Sequence, residues 1–198
     1  MTLSQKPALV AGATAADSTS AVVPLRRLYL LRFGFALVWA GLFAWAFSPY
    51  ETLGLVLAVA YPTFDVVAAL VDHRASSEDP VVRSRLALGA NVAISAAAAV
   101  GLLLVGSGDL GGALRVWGAW AIAAGVVQLA VGLRRRSVDG HVPMILSGGI
   151  SVLAGASFLA TAGDASSLGM LAGYATLGGI FFLVSAVRLG RSRSAHAG

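Results

Sequence analysis

The sequence predicts an all-α membrane protein of six transmembrane helices, and three observations carry that prediction. Of 198 residues, 58% are apolar and 12% are charged, against about 45–50% and about 25% in soluble domains. So little charge cannot cover the surface of a water-soluble globule, and the mean hydropathy is +0.83. Six apolar runs each approach the ~20 residues that cross a hydrocarbon core ~30 Å thick. With no water to satisfy its backbone, a run of that length must be helical.

The elements follow in order. Residues 1–25 are rich in Ala, Thr and Ser, with Lys6 and Asp17 and no apolar period. The stretch Pro7 to Ala16 is interrupted by Gly12 and Thr14. It is a poor signal-peptide core, so a disordered cytoplasmic tail is expected in preference to a cleaved leader. A transmembrane domain over 26–191 holds spans at about 28–47, 52–71, 86–106, 113–133, 142–162 and 167–187, and a short cytoplasmic tail, 192–198, ends the chain. The connectors Ser48–Glu51, Ser107–Gly112 and Gly163–Ser166 are short and turn-like; Asp72–Arg85 and Arg134–His141 are longer and rich in Arg.

That alternation sets an expected topology. The basic residues are thirteen Arg and one Lys, and with six spans all but Arg115 fall on one side. Glu51, Asp109 and Asp164 fall on the other. Basic residues mark the cytoplasmic side, so both termini are expected inside. The same clustering argues that the net charge of +5 is an orientation signal and not a nucleic-acid face. Trp39, Trp45, Tyr50, Trp117, Trp120 and Tyr174 lie toward the outer side, where interfacial aromatic anchors are expected.

The spans also repeat as three hairpins. Gly34 and Gly41, Gly89 and Ala96, and Gly148 and Gly155 hold corresponding places in the odd helices. Tyr61, Trp120 and Tyr174 head similar phrases in the even ones. A period in the fifties is one helical hairpin per repeat. With Arg32 and Gly34, Ser48-Pro49, and the phrase from Gly173-Tyr174 to Gly179-Ile180, the chain over about 26–191 resembles the DUF308, or HdeD-like, family of small bacterial membrane proteins. The resemblance implies a multi-pass protein of the bacterial inner membrane with a link to acid or stress resistance. It implies no established mechanism.

Candidate sites are few. Ala36-Ala40-Ala44, Ala93-Ala97-Gly101 and Gly169-Gly173 are small-residue ridges at spacing four. Such ridges pack helices by close backbone approach, inside one chain or across a homo-oligomer face. The polar residues inside the spans are more specific. Arg32, Asp65, Asn91, Gln128 and Ser147 fall five to seven residues from the Arg-rich boundary, at about 7–10 Å depth by the helical rise. A charged Asp facing lipid is costly, so Asp65 should face inward and find a partner. Arg32 on the adjacent helix is expected first, then Asn91 or Gln128. Two readings follow: a structural clamp, or a proton- or ion-responsive site, to which Pro62 one turn from Asp65 adds weight as a helix-kinking residue.

Enzyme chemistry is not expected. There is no cysteine, so neither a thiol nucleophile nor a Cys-ligated metal arises. His73, His141 and His196 lie far apart without metal-ligand spacing. Ser107 sits in an outer turn with no base in reach. No catalytic residue, cofactor or metal is expected. The partners expected are the bilayer, with anionic lipid headgroups at Arg134, Arg135 and Arg136, and a second copy of the chain. Polar residues at one depth, with little above them but Ser151, Ser157 and Thr176, favour a non-enzymatic membrane protein over a permeation path, which needs polarity along its length.

Overall fold

The computed structural model describes residues 6–45, 52–75, 82–134, 141–165 and 168–195. Its helices are α1 (Lys6–Trp45), α2 (Thr52–Ala75), α3 (Val82–Val105), α4 (Leu110–Arg134), α5 (His141–Thr161) and α6 (Gly169–Ala195), with a single 3-10 turn at Ala162–Asp164 after α5. Among the described residues there is no strand. Six segments are long and apolar enough to cross a membrane: Arg26–Trp45, Thr52–Val71, Ala87–Val105, Leu110–Arg134, Met144–Asp164 and Gly169–Arg188. They lie within a few residues of the expected spans. The chain is therefore a multi-pass, all-α membrane protein.

The main departure is at the N-terminus. The helix begins at Lys6, where a disordered tail is expected. The segment is rich in Ala, the best helix former, and continues without a break into a span that supplies the nucleus. Pro62 likewise does not interrupt α2, which runs through it with the proline buried.

The helices form a ring of antiparallel neighbours, α1 to α6 in chain order, closed by α6 against α1. The most extensive contacts are α4 with α5, α6 with α1, and α2 with α3; the α5–α6 seam is the slightest. Glycine explains the first of these. A Cβ on Gly118 would stand 2.8 Å from the Gly155 carbonyl oxygen, and one on Gly125 would stand 2.7 Å from that of Gly148. Near the start of α4, a Cβ on Gly111 would stand 2.5 Å from the Ala162 carbonyl oxygen. Three positions at seven-residue spacing on α4 thus meet three on α5 and the turn that follows it, backbone to backbone, the close approach that replaces hydrophobic driving force in a membrane. On the α6–α1 seam, Gly179 faces Ala36 at 3.1 Å by the same construction.

The expected ridges are only partly inside the single chain, and Gly101 faces Val116 of α4 at 3.3 Å by the same construction. Ala36 and Ala40 are buried, but Ala44, Ala93, Ala97, Gly169 and Gly173 are exposed, and a Cβ on Gly173 would meet nothing within 4 Å. The packing on α6 falls to Ala172, Ala175 and Gly179, the faces turned toward the core and α1. A spacing of four reveals a ridge but not which side of the helix the bundle lies on.

The aromatic residues are corrected more sharply. Trp39, Trp117 and Trp120 are buried, at 2%, 1% and 7% exposure, and Tyr174 is half-buried beside them. They form the core of the half of the bundle that carries the α3–α4 turn and are not interfacial anchors. Trp39 lies 5.5 Å from Trp117 and 5.0 Å from Tyr61 between ring centres. Trp117 stands edge-on to Trp120 at 5.0 Å and to Tyr174 at 6.4 Å. Only Trp45, 74% exposed at the end of α1, occupies an anchor's place; Tyr50 lies outside the described residues. In so apolar a chain, these indoles gain more from stacking and filling the space between six helices than from the boundary.

Candidate functional site

Asp65 is the centre of a polar cluster drawn from four helices. Its inward direction follows from α2, where Ala58, Pro62 and Ala69 are buried while Thr63, Val67 and Leu70 are exposed. Asp65 falls in the middle of the buried arc, as 3.6 residues per turn requires. On α3, Asn91 and Ser95 are one turn apart and so present side chains to the same neighbour. Asn91 Nδ2 donates to Asp65 Oδ2 at 2.8 Å, and the Ser95 hydroxyl donates to the same oxygen at 2.9 Å. Ser95, fully buried, in turn accepts from Trp120 Nε1 of α4 at 3.0 Å. From α1, Arg32 Nη1 reaches Asp65 Oδ1 at 3.4 Å.

Arg32 is held less completely. Its guanidinium carbon lies 5.1 Å from the centre of the Phe182 ring on α6, within range of a cation–π contact. Its Nε is buried without a hydrogen-bond partner. The side chains of Arg32 and Asp65 are 13% and 20% exposed.

Of the five residues expected in the polar layer, the structure therefore joins Arg32, Asp65 and Asn91. Gln128 does not join them: its Oε1 is buried and unpartnered. Ser147 is half-buried on α5. The alternatives of Arg32 or Asn91 as partner are both realised, one on each carboxylate oxygen. Ser95 and Trp120 were missed. Ser95 sits one helical turn from Asn91 on the same face, and that spacing was the available signal. A second hydroxyl pair, Ser151 with Tyr174 at 3.1 Å, ties α5 to α6.

From the cluster toward the end of the bundle that carries the α3–α4 turn, the arrangement is closed. Ala58, Leu102, Leu114 and Leu171 have no exposure. The Trp117 indole N–H is buried without a hydrogen-bond partner, within a cluster of rings formed with Trp39, Tyr61, Trp120 and Tyr174. At the start of α4, Asp109 caps the helix by accepting from the Gly112 amide at 2.7 Å. The turn between α3 and α4 holds Gly106 and Gly108 at φ of 74° and 97°, the left-handed region where glycine costs least; Ser107 lies exposed between them.

Among the described residues no group of three or more metal-ligating acidic or histidine side chains occurs. His196, Arg135 and Arg136 lie outside the described residues, while Arg134 is exposed at the end of α4. No protein-family model matches the chain, and no match was found among curated proteins or solved structures.

Proposed function

We propose that this protein is a non-enzymatic, HdeD-like membrane protein of the bacterial inner membrane. In this reading it consists of three parallel hairpin repeats with both termini cytoplasmic, and acts in stress or acid resistance by stabilising the membrane or a partner. The observation that carries the non-transporting part is the pairing of the cluster with a sealed outer half. Asp65 has donors from α1 and α3, and the apolar and aromatic layer above it is buried. Ions need polar groups along the whole depth of a path, and here polarity stops at the Ser95–Trp120 level. The repeat is supported by Trp39, Ser95 and Ser151, which are equally spaced along the odd helices and each meet or lie beside the even-helix aromatics Tyr61, Trp120 and Tyr174. Arg26, Arg27, Arg134, Arg188 and Arg191 are exposed at one end of the bundle and Arg115 at the other, which supports the proposed orientation and offers the first end to anionic headgroups.

The alternative, a small proton- or ion-coupled transporter centred on Asp65, draws on the carboxylate's partial exposure. Liposomes separate the two. Reconstituted wild-type protein should conduct protons no faster than protein-free vesicles, and Asp65→Asn should change nothing. A proton flux that Asp65→Asn abolishes would establish the transporter instead. Reporter fusions after Arg85 and Arg136 should read cytoplasmic, and fusions at Gly108 and Asp164 external; a cytoplasmic signal at Gly108 would overturn the orientation.

A further inference from the structure

The arginines at one end of the bundle gather on one seam. Arg26 and Arg27 open the membrane span of α1, Arg188 closes that of α6, and Arg191 follows it on the same helix. All four are exposed. Their helices are antiparallel neighbours in close contact, with a Cβ on Gly179 standing 3.1 Å from that of Ala36. Nearer the arginines, the rings of Tyr29 and Phe182 stack at 6.1 Å. The register set by these two contacts brings Arg26 and Arg27 level with Arg188 to within a turn, and Arg191 lies about 4.5 Å further by the helical rise. The side is fixed as well. At about 100° per residue, Arg26 shares the lipid-facing side of α1 with exposed Leu30 and Leu37, and Arg191 that of α6 with exposed Ile180, Val184 and Val187. Neither helix supplies an acid near them: none lies between Asp17 and Glu51, and none follows Asp164. Arg32, deeper in α1, is the arginine that Asp65 takes. Membrane orientation asks only that basic residues lie on one side. It does not ask four of them to share one seam, and Arg134 stands apart from them on α4.

We propose that this end of the α1–α6 seam binds an anionic phospholipid that carries two phosphodiester groups. The four guanidinium groups hold the phosphates, and the exposed aliphatic side chains of α1 and α6 meet the acyl chains. The inference rests on the headgroup contact proposed above and deepens it, naming the lipid class and moving the contact from α4 to α1 and α6. The chemistry selects the ligand. A guanidinium donates two parallel N–H groups to one phosphate, a fit that lysine lacks, and the only lysine of the chain is Lys6. A lipid with one phosphodiester can lie against one pair of arginines and leaves the other pair facing each other. Two linked phosphodiesters answer both pairs. The closeness of the seam holds the arginines together before the lipid arrives, which lowers the ordering cost of binding. The aliphatic surface directly beneath them selects a lipid over a free phosphate, and basic sites between helices at the cytoplasmic face are where such headgroups bind.

Lipid titration in a neutral detergent tests this. Cardiolipin should raise the Tm of the wild-type chain by about 3 °C or more. Phosphatidylglycerol at matched phosphate should raise it by clearly less, and inorganic pyrophosphate, which has the charges without the chains, should not reproduce the effect. Arg26→Gln and Arg191→Gln should each roughly halve the cardiolipin shift, because each removes one arginine of a pair. Arg134→Gln removes the same charge at the same end and should leave the shift as it is. Equal shifts from the two lipids would overturn the proposal while leaving a diffuse attraction of headgroups; no shift from either would remove the headgroup reading itself. A pyrophosphate shift as large as that of cardiolipin, or an Arg134→Gln loss as large as that of Arg26→Gln, would also overturn it. Should the variants fail to fold, native mass spectrometry of the wild-type chain with an equimolar mixture of the two lipids decides. One cardiolipin should be retained per chain, and retention of both lipids in equal proportion would show that no such site exists.

Discussion

The α4–α5 seam and the corner where α1, α2 and α3 meet at Asp65 join helices by opposite means. Along α4–α5 the contact is backbone on backbone, with glycines facing glycines at Gly118–Gly155 and Gly125–Gly148 and no side chain between. At the Asp65 corner the helices are linked by side-chain polar groups, and the carboxylate that joins them is 20% exposed. In a lipid solvent there is no hydrophobic gain from bringing helices together, so a seam is stabilised by dispersion at close approach or by polar bonds. The first is stiff and intolerant of added atoms. The second rests on a few side chains and tolerates their exchange one at a time.

The comparison predicts its largest effect at the glycines. Gly118→Leu puts a Cβ at 2.8 Å from a carbonyl oxygen and a branched chain against Leu159, itself 2.8 Å from that Cβ position. Because backbone must move to admit it, the variant should lose the folded form in detergent altogether. Gly118→Ala should cost at least about 1–3 kcal/mol, the usual range for overpacking. Thermal unfolding followed by near-ultraviolet signals from the core tryptophans is the measurement. A Gly118→Leu protein with wild-type Tm would mean that α4 and α5 are not in backbone contact.

At the Asp65 corner the expected losses are smaller. Removing one partner of a buried pair costs about 3–5 kcal/mol in soluble proteins, whereas interhelical polar bonds in membranes average about 0.6 kcal/mol. Asp65→Ala removes the common acceptor of Arg32, Asn91 and Ser95 and should destabilise more than Arg32→Ala, whose side chain touches only one oxygen. The double variant should lose less than the sum. Strict additivity would show that the 3.4 Å contact contributes no coupling. Below these comes Trp120→Phe, which deletes only the N–H that reaches Ser95 and keeps most of the packing; a loss of about 0.5–1 kcal/mol is expected. A loss as large as that of Asp65→Ala would show that the indole, not the carboxylate, organises the corner.

How much of this was legible in the sequence depends on what kind of signal each feature leaves. Span number and position were legible because the lipid solvent imposes length and apolarity residue by residue. Asp65 was legible because an intramembrane acid has few tolerable directions, and Arg32 and Asn91 lay at its depth. The sequence does not encode rotation about a helix axis so plainly when every face is apolar. An ordinary soluble helix shows its buried side by contrast with a polar one; here both sides of α6 read alike, and the sequence left Gly173 open between a neighbouring helix and a second copy of the chain. The same loss of contrast hid the core tryptophans, which composition alone places at an interface. The glycines of α5 were seen as a repeat, but their partners Gly118 and Gly125 on α4 become visible only when two helices are set antiparallel.

The smallest effect should come from the glycine that the sequence made most prominent. Gly173→Leu adds a side chain where a Cβ would meet nothing within 4 Å, on an α6 face that is exposed from Gly169 through Gly173 to Leu177. Its Tm in detergent should stay within about 1 °C of wild type, allowing for the few tenths of a kcal/mol that separate Gly from Leu on an exposed helix in a 198-residue chain. Gly179→Leu, one face round, must displace Ala36 and Phe33 and should be clearly destabilised. The pair therefore reads the rotation of α6 directly. If Gly173→Leu instead lowers the Tm as much as Gly179→Leu, α6 is turned differently and the ring closes through another face. If it leaves the monomer intact but reduces the size of the particle in detergent, the exposed Gly169–Gly173 strip is where a second copy approaches, because only there does a bulky side chain obstruct a contact that one chain alone does not make.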